Sequence, residues 1–140
     1  MERPAPSDSE LADSAGRILA GGDGEFLLGA VEPPNTAPRD DMMTAGEPVS
    51  VCQLRYRWSV WTSAEDCWLE DLFVRSSARR AGLGRGLVEA ACERAVARAC
   101  RRIQLDVEED NEAALALYAS CGFELTPIGS TRSLLLGRAL

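Results

Sequence analysis

The sequence predicts an α/β fold, and three observations carry the prediction. Val49 to Val74 reads as two apolar strands with a turn between them. From Leu83 the period changes: Leu83, Leu87, Val88, Ala91, Cys92, Ala95, Val96 and Ala99 recur three and four apart, which is one apolar face of a long helix. Arg102 to Val107 then returns to alternation, so a strand–helix–strand unit sits in the middle of the chain.

Taken in order, Met1 to Pro6 reads as frayed. Ser7 or Ser9 can cap a helix reaching Ala20, with Leu11, Ala15, Ile18 and Leu19 inward. Gly21-Gly22-Asp23-Gly24 stops it. Glu25 to Glu32 is the first strand, and Pro33 to Pro48 a mobile loop. In Val49 to Val60, Val51, Gln53, Arg55 and Arg57 alternate with Cys52, Leu54, Tyr56 and Trp58. Trp61 to Asp66 turns the chain, and Cys67 to Val74 returns as the antiparallel partner. After the long helix and the strand at Arg102 to Val107, Asp110 or Asn111 can cap a helix whose inner face is Ala114, Leu117, Tyr118 and Cys121. Gly122 ends that helix. Phe123 to Thr126 and Ser133 to Leu136 are two further short strands.

A chain of 140 residues with 46% apolar content makes one globular domain. A net charge of −7 argues against non-specific nucleic-acid binding and favours a cationic small molecule as guest. The five cysteines (52, 67, 92, 100 and 121) are scattered and odd in number, as reduced thiols of a cytoplasmic protein are. With no histidine, a zinc site is improbable and a Ser-His or Cys-His triad is excluded. No apolar run approaches the length of a membrane span or a signal sequence.

The richest local signal lies between Val74 and the long helix: Arg79-Arg80-Ala81-Gly82-Leu83-Gly84-Arg85-Gly86. Glycines at a helix start let backbone N–H groups approach a ligand, where the helix dipole adds partial positive charge. Such a turn suits phosphate, and three arginines rim it. The alternative is that the glycines only let the helix pack tightly. A Walker loop is excluded, because the chain has no lysine, and the spacing departs from G-x-G-x-x-G.

What the turn does match is Arg/Gln-x-x-Gly-x-Gly/Ala. It resembles the acyl-CoA pyrophosphate motif of the GNAT superfamily of N-acyltransferases. A second segment, Asn111 to Phe123 (NEAALALYASCGF), resembles that superfamily's other signature, in the expected order and distance. The resemblance covers Trp58 to the C terminus. It implies a GNAT-type mixed, mostly antiparallel sheet flanked by helices, with acetyl-CoA as cofactor. It implies cofactor contacts at Leu72, Phe73 and Val74 through the backbone, at Arg79 to Gly86 (Arg79, Arg80, Ala81, Gly82, Leu83, Gly84, Arg85, Gly86), and at Asn111 and Ala114. Asn111 as helix cap is an equal and compatible reading. The amide of Phe73 or Val74 would hold the thioester oxygen, and a bulge near Asp71 would open the slot.

For catalysis the resemblance implies Tyr118 as proton donor to the departing thiolate, against a reading as a core aromatic. It implies Glu70 as the base that deprotonates the amine. The run Tyr56 to Val74 resembles the diamine and polyamine branch. Asp71, Asp106 and Glu108 would then add negative charge, and Trp58 and Trp61 cation–π faces. Hairpin packing and a solvated acidic rim is an equal reading. The chain starts at what resembles the family's second helix, without the usual first strand and helix, so an N-terminally shortened domain is expected. An uncovered edge at Glu25 to Glu32 would favour a homodimer. Two functions follow: an N-acetyltransferase for a small cationic amine, or a non-catalytic acyl-CoA-binding or regulatory module.

Overall fold

A computed structural model describes residues 5–31, 46–79, 82–125 and 136–138. Most of the expected loop from Pro33 to Pro48 and of the strand at Ser133 to Leu136 falls outside these, as do Arg80 and Ala81. Among the described residues, four strands form one sheet in the order β1-β2-β3-β4.

Helix α1 (Asp8–Gly21) begins at Ser7, whose Oγ accepts the Glu10 N–H at 3.3 Å, while the Glu10 carboxylate accepts the Ser7 N–H at 2.8 Å. This reciprocal box selects Ser7 over Ser9 as the cap. Only half of the expected inner face is covered. Ala15 and Ile18 are half-buried, whereas Leu11 and Leu19 are 52% and 57% exposed. The helix meets the sheet through Ile18 alone of these, at Gly24, where a Cβ would lie 2.5 Å from Ile18 Cγ2.

Strand β1 (Gly24–Gly29) pairs antiparallel with β2 (Ser50–Ser59), which pairs antiparallel with β3 (Ala64–Val74). The β2–β3 turn is shorter than predicted, because strand pairing already resumes at Ser59↔Ala64. Cys52, Leu54 and Tyr56 are buried as the alternation requires, but Trp58 is 64% exposed and Ser59 is buried instead. The helical cover ends there: Arg98, at the end of the next helix, stacks 4.0 Å over the Tyr56 ring, and Trp58 lies beyond it.

Helix α2 (Leu83–Ala97) packs Leu87, Val88, Ala91 and Ala95 on Cys52, Leu54, Tyr56, Cys67 and Leu69. The predicted face was too long. Val96 is 75% exposed, and Ala99 lies past the helix end with φ of 61°. The C-terminal turn is tied to the sheet electrostatically. Arg94 pairs with Glu25 at 2.9 Å, Tyr56 donates its hydroxyl to Glu25, and Arg98 pairs with Glu65 and bonds the Gly22 carbonyl.

Strand β4 (Arg102–Gln104) pairs parallel with β3 over Asp66↔Arg102, Cys67↔Ile103 and Trp68↔Gln104. The expected strand to Val107 is cut short at Gln104. Helix α3 (Glu112–Ser120) follows, with Leu117, Tyr118 and Cys121 against the core. It ends at Cys121 and Gly122, whose φ is 87°. Residues 123–125 are not a strand, contrary to expectation.

Candidate active site

Two features of the backbone define the site. The first is a bulge. Gln53 pairs with Asp71 but Leu54 pairs with Leu69, leaving Glu70 as the extra residue on β3. A bulge kinks its strand and re-aims side chains. Here the Glu70 carboxylate turns to Gln53, whose Nε2 donates to it at 2.7 Å. The expected bulge near Asp71 is therefore present, one residue away.

The second is a fork. β3 and β4 pair only as far as Trp68 and Gln104, after which β3 runs on to Val74 paired with β2 alone. Arg75 N–H bonds the Val49 carbonyl at 2.8 Å, and the Val74 carbonyl faces the other way, accepting Arg79 Nε at 3.2 Å. Peptide groups alternate along an antiparallel strand. Leu72 and Val74 thus direct their N–H groups into the fork, and Phe73 directs its own toward β2. Of the two amides the sequence offered for an oxyanion, that of Val74 faces the fork and that of Phe73 faces β2.

Helix α2 follows a short turn after β3, and its first turn lies beside α3 and β1, with Gly82, Leu83 and Gly86 sharing a cleft with Leu27, Leu28 and Gly29. Its N-cap is Gly82, with φ of 76° and no side chain to cap the first turn. The other two helices are capped by Ser7 and Asn111. The first four N–H groups of a helix have no internal partner, and Gly86 N–H already bonds the Gly82 carbonyl at 3.0 Å. Among the described residues, no acceptor meets the N–H groups of Gly82, Leu83, Gly84 and Arg85. Gly84 has a packing role as well, since a Cβ there would lie 3.3 Å from Leu117 of α3, while Gly86 faces open space. The packing reading of the glycines therefore holds at Gly84. Arg85 turns to α3, with Nη2 bonding Ser120 Oγ at 2.7 Å and Nη1 3.7 Å from Glu89.

Tyr118 is half-buried, its ring 5.8 Å from that of Phe123 and tilted by 57°. It lines a cleft of about 410 Å³ with Gln104, Leu105, Val107 and Phe123. Burial pushes its hydroxyl above the ordinary phenol range, and nearby Cys52 adds to the shift. Glu70 and Asp71 are not among the described residues of that cleft. Asn111 Oδ1 accepts the Ala114 N–H at 3.2 Å, so its oxygen serves as helix cap and that amide is occupied. Asp106 and Glu108 are exposed beyond the end of β4, across the fork from β3.

Trp58 is not brought to the carboxylates. It pairs with Glu65, five positions along β2 from Gln53, roughly 16 Å at strand rise. Trp61 is 92% exposed at the hairpin tip. The cation–π contacts observed join Arg57 to Trp68 and Arg98 to Tyr56 instead. Gln53 is the residue the sequence did not single out. It sits at an ordinary outward polar position of its strand, and only the register to β3 reveals its contact. The buried thiols of Cys52 and Cys67 are pushed up to about 11 and about 12 by burial, so neither is a nucleophile at neutral pH.

Residues 15–123 match the model of the acetyltransferase (GNAT) family. The chain belongs to this family. It is 30% identical over 82 residues to thialysine N-epsilon-acetyltransferase of Sus scrofa, covering 55% of this chain and 48% of the relative. It is 33% identical over 105 residues to aminoglycoside N(6')-acetyltransferase type 1 of Klebsiella aerogenes, covering 71% and 66%. The chain thus spans about half the length of the thialysine relatives it matches. Among solved structures, a protein of Arthrobacter sp. FB24 provisionally classed as an acetyltransferase superposes with a TM-score of 0.76 at 29% identity, over 98% of this chain and 79% of its own. AAC(6')-Iy in complex with a CoA-S-monomethyl-acetylneamine bisubstrate analog shares the fold, with a TM-score of 0.70 at 20% identity over 96% and 82%.

Proposed function

We propose that the chain is an acetyl-CoA-dependent N-acetyltransferase acting on a primary amine of a small cationic molecule. The observation that carries the reading is the uncapped N terminus of α2, a short turn after the strand that forks from β4. Open helix donors fit a pyrophosphate, and a strand edge whose Leu72 and Val74 N–H groups face the fork fits an extended amide-bearing arm.

Acetyl-CoA brings the thioester, whose acetyl carbon leaves sulfur for nitrogen. The chain supplies the rest. The N–H groups of Gly82 to Arg85 and the Arg79 charge hold phosphate, and Arg80 and Ala81, outside the described residues, belong to the same motif. Leu72 and Val74 pair with the arm, and the Val74 amide faces the carbonyl oxygen. An amine of pKa about 10.4 arrives protonated, and Glu70, fixed by Gln53, removes that proton through water. Asp71 beside it holds the ammonium. Tyr118 gives its hydroxyl proton to the departing thiolate, and its raised pKa keeps it protonated at neutral pH. A homodimer through the β1 edge belongs to the same reading.

Tyr118→Phe tests the assignment, because it removes the hydroxyl and keeps the ring against Phe123. Loss of general acid catalysis should lower kcat by about 10²- to 10⁴-fold, with acetyl-CoA affinity unchanged by calorimetry. Full turnover in this variant would remove Tyr118 from the chemistry. Binding of acetyl-CoA without turnover of any amine by the unmodified protein would favour a non-catalytic acyl-CoA module.

A further inference from the structure

We infer that the acceptor is an amphiphilic primary amine, its ammonium held at Glu70 and Asp71 and its apolar body lying along Leu28, Val51 and Phe73. This rests on the acetyltransferase reading above and narrows the substrate class.

Residues directly opposite in a sheet project from the same face. Leu28 pairs with Val51 and Val51 with Phe73, so the three form one apolar row across β1, β2 and β3. Their chain neighbours Leu27, Cys52 and Leu72 point the other way and pack with the core under α2. Among the described residues nothing comparable covers the row: Leu28 is 63% and Phe73 57% exposed, and Val51 is half-buried. The neighbouring row on the same face is Phe26, Gln53 and Asp71, and the Gln53–Glu70 hydrogen bond brings the Glu70 carboxylate to its β3 end.

Two positions along a strand separate the rows, roughly 7 Å, and two strand spacings make the apolar row about 10 Å wide. An apolar platform beside a pair of carboxylates is complementary to a cation with an apolar body. A diamine of similar length would place its second ammonium over Leu28, Val51 and Phe73, none of which can pair with it, and would desolvate that charge. The platform therefore selects a monoamine with an alkyl or aryl body over a diamine.

The test compares n-alkylamines from butyl to octyl with α,ω-diamines of equal length, measuring acetyl-CoA-dependent thiol release. We expect kcat/KM to rise two- to fourfold per methylene in the monoamines, and each monoamine to exceed its diamine at least tenfold. Leu28→Asp, at an exposed edge-strand position that the fold tolerates, should flatten the series and turn the preference toward diamines. A flat series, or diamine preference in the unmodified protein, overturns the platform while leaving the acetyltransferase reading intact. If no amine turns over, octylamine binding by thermal shift, lost in Leu28→Asp, would support the platform and sink the catalytic reading; no binding overturns the platform too. A homodimer paired through the β1 backbone edge leaves this face open and should survive Leu28→Asp; sedimentation showing a dimer that the variant dissociates would assign the row to self-association and overturn the proposal.

Discussion

Arg102→Ala is the perturbation whose magnitude the structure sets best. Asp66 is fully buried, and its Oδ2 accepts from Arg102 Nε at 2.9 Å and Nη2 at 2.7 Å. Its remaining contact is Thr62 Oγ1 at 3.5 Å. Removing the guanidinium strands a carboxylate out of water. Breaking a buried pair costs about 3–5 kcal/mol, and because the Arg102 side chain is 44% exposed, solvent screening holds the loss to the lower end, about 3 kcal/mol. Asp66↔Arg102 is also the first rung of the parallel pairing that ends in the fork, so a rise in acetyl-CoA KM should accompany the loss. Urea unfolding followed by tryptophan fluorescence reads the stability, with Trp68 two residues away on the same strand. Adding Asp66→Leu to Arg102→Ala should recover at least half of the loss, because no charge is then buried. A loss under about 1 kcal/mol for Arg102→Ala, or no recovery in the double variant, would refute the account of Asp66 as a charge dependent on Arg102.

Two further outcomes follow from named contacts. Gln53→Leu should lower kcat about tenfold with acetyl-CoA KM unchanged, since it frees the Glu70 carboxylate without touching the fork; an unchanged kcat would show that Glu70 needs no such support. The Arg94 ion pair holds Glu25 below its ordinary 4.5 against the opposing effect of burial, and Arg98 does the same for Glu65. Both carboxyls are lower in the folded state, so their stabilisation is full above pH 4.5 and fades as pH falls through the folded values. Thermal unfolding below pH 4.5 should therefore be less acid-sensitive in Glu25→Gln than in the unmodified chain; parallel pH profiles would contradict this.

The elements were legible where local chemistry fixed them. Ser7 with Glu10, Gly82 before a periodic run, and Asn111 with Gly122 around a short helix each state their ends in a few adjacent residues. Boundaries failed where cover from elsewhere decided them. Trp58 breaks its strand's alternation because α2 stops over Tyr56, and β4 ends at Gln104 because β3 bends away. Neither cause lies within the strand concerned.

The site follows the same division. Glycines 82 and 84 and Tyr118 could be read from motif and spacing, because helix starts and helix faces are local. The arrangement of Gln53, Glu70 and Asp71 could not, because it hangs on one extra residue in one strand. With Glu70 inserted, Asp71 stays opposite Gln53 and Phe73 opposite Val51, while Leu69 stays opposite Leu54 in the core. Without the insertion, either Leu69 or Phe73 would change faces, since strand side chains alternate with a period of two. The bulge lets one strand bury Leu69, present Phe73 and bring two carboxylates to one face. That requirement joins β2 and β3 across the whole hairpin, which is why Gln53, an unremarked polar residue in its own strand, becomes the partner of Glu70.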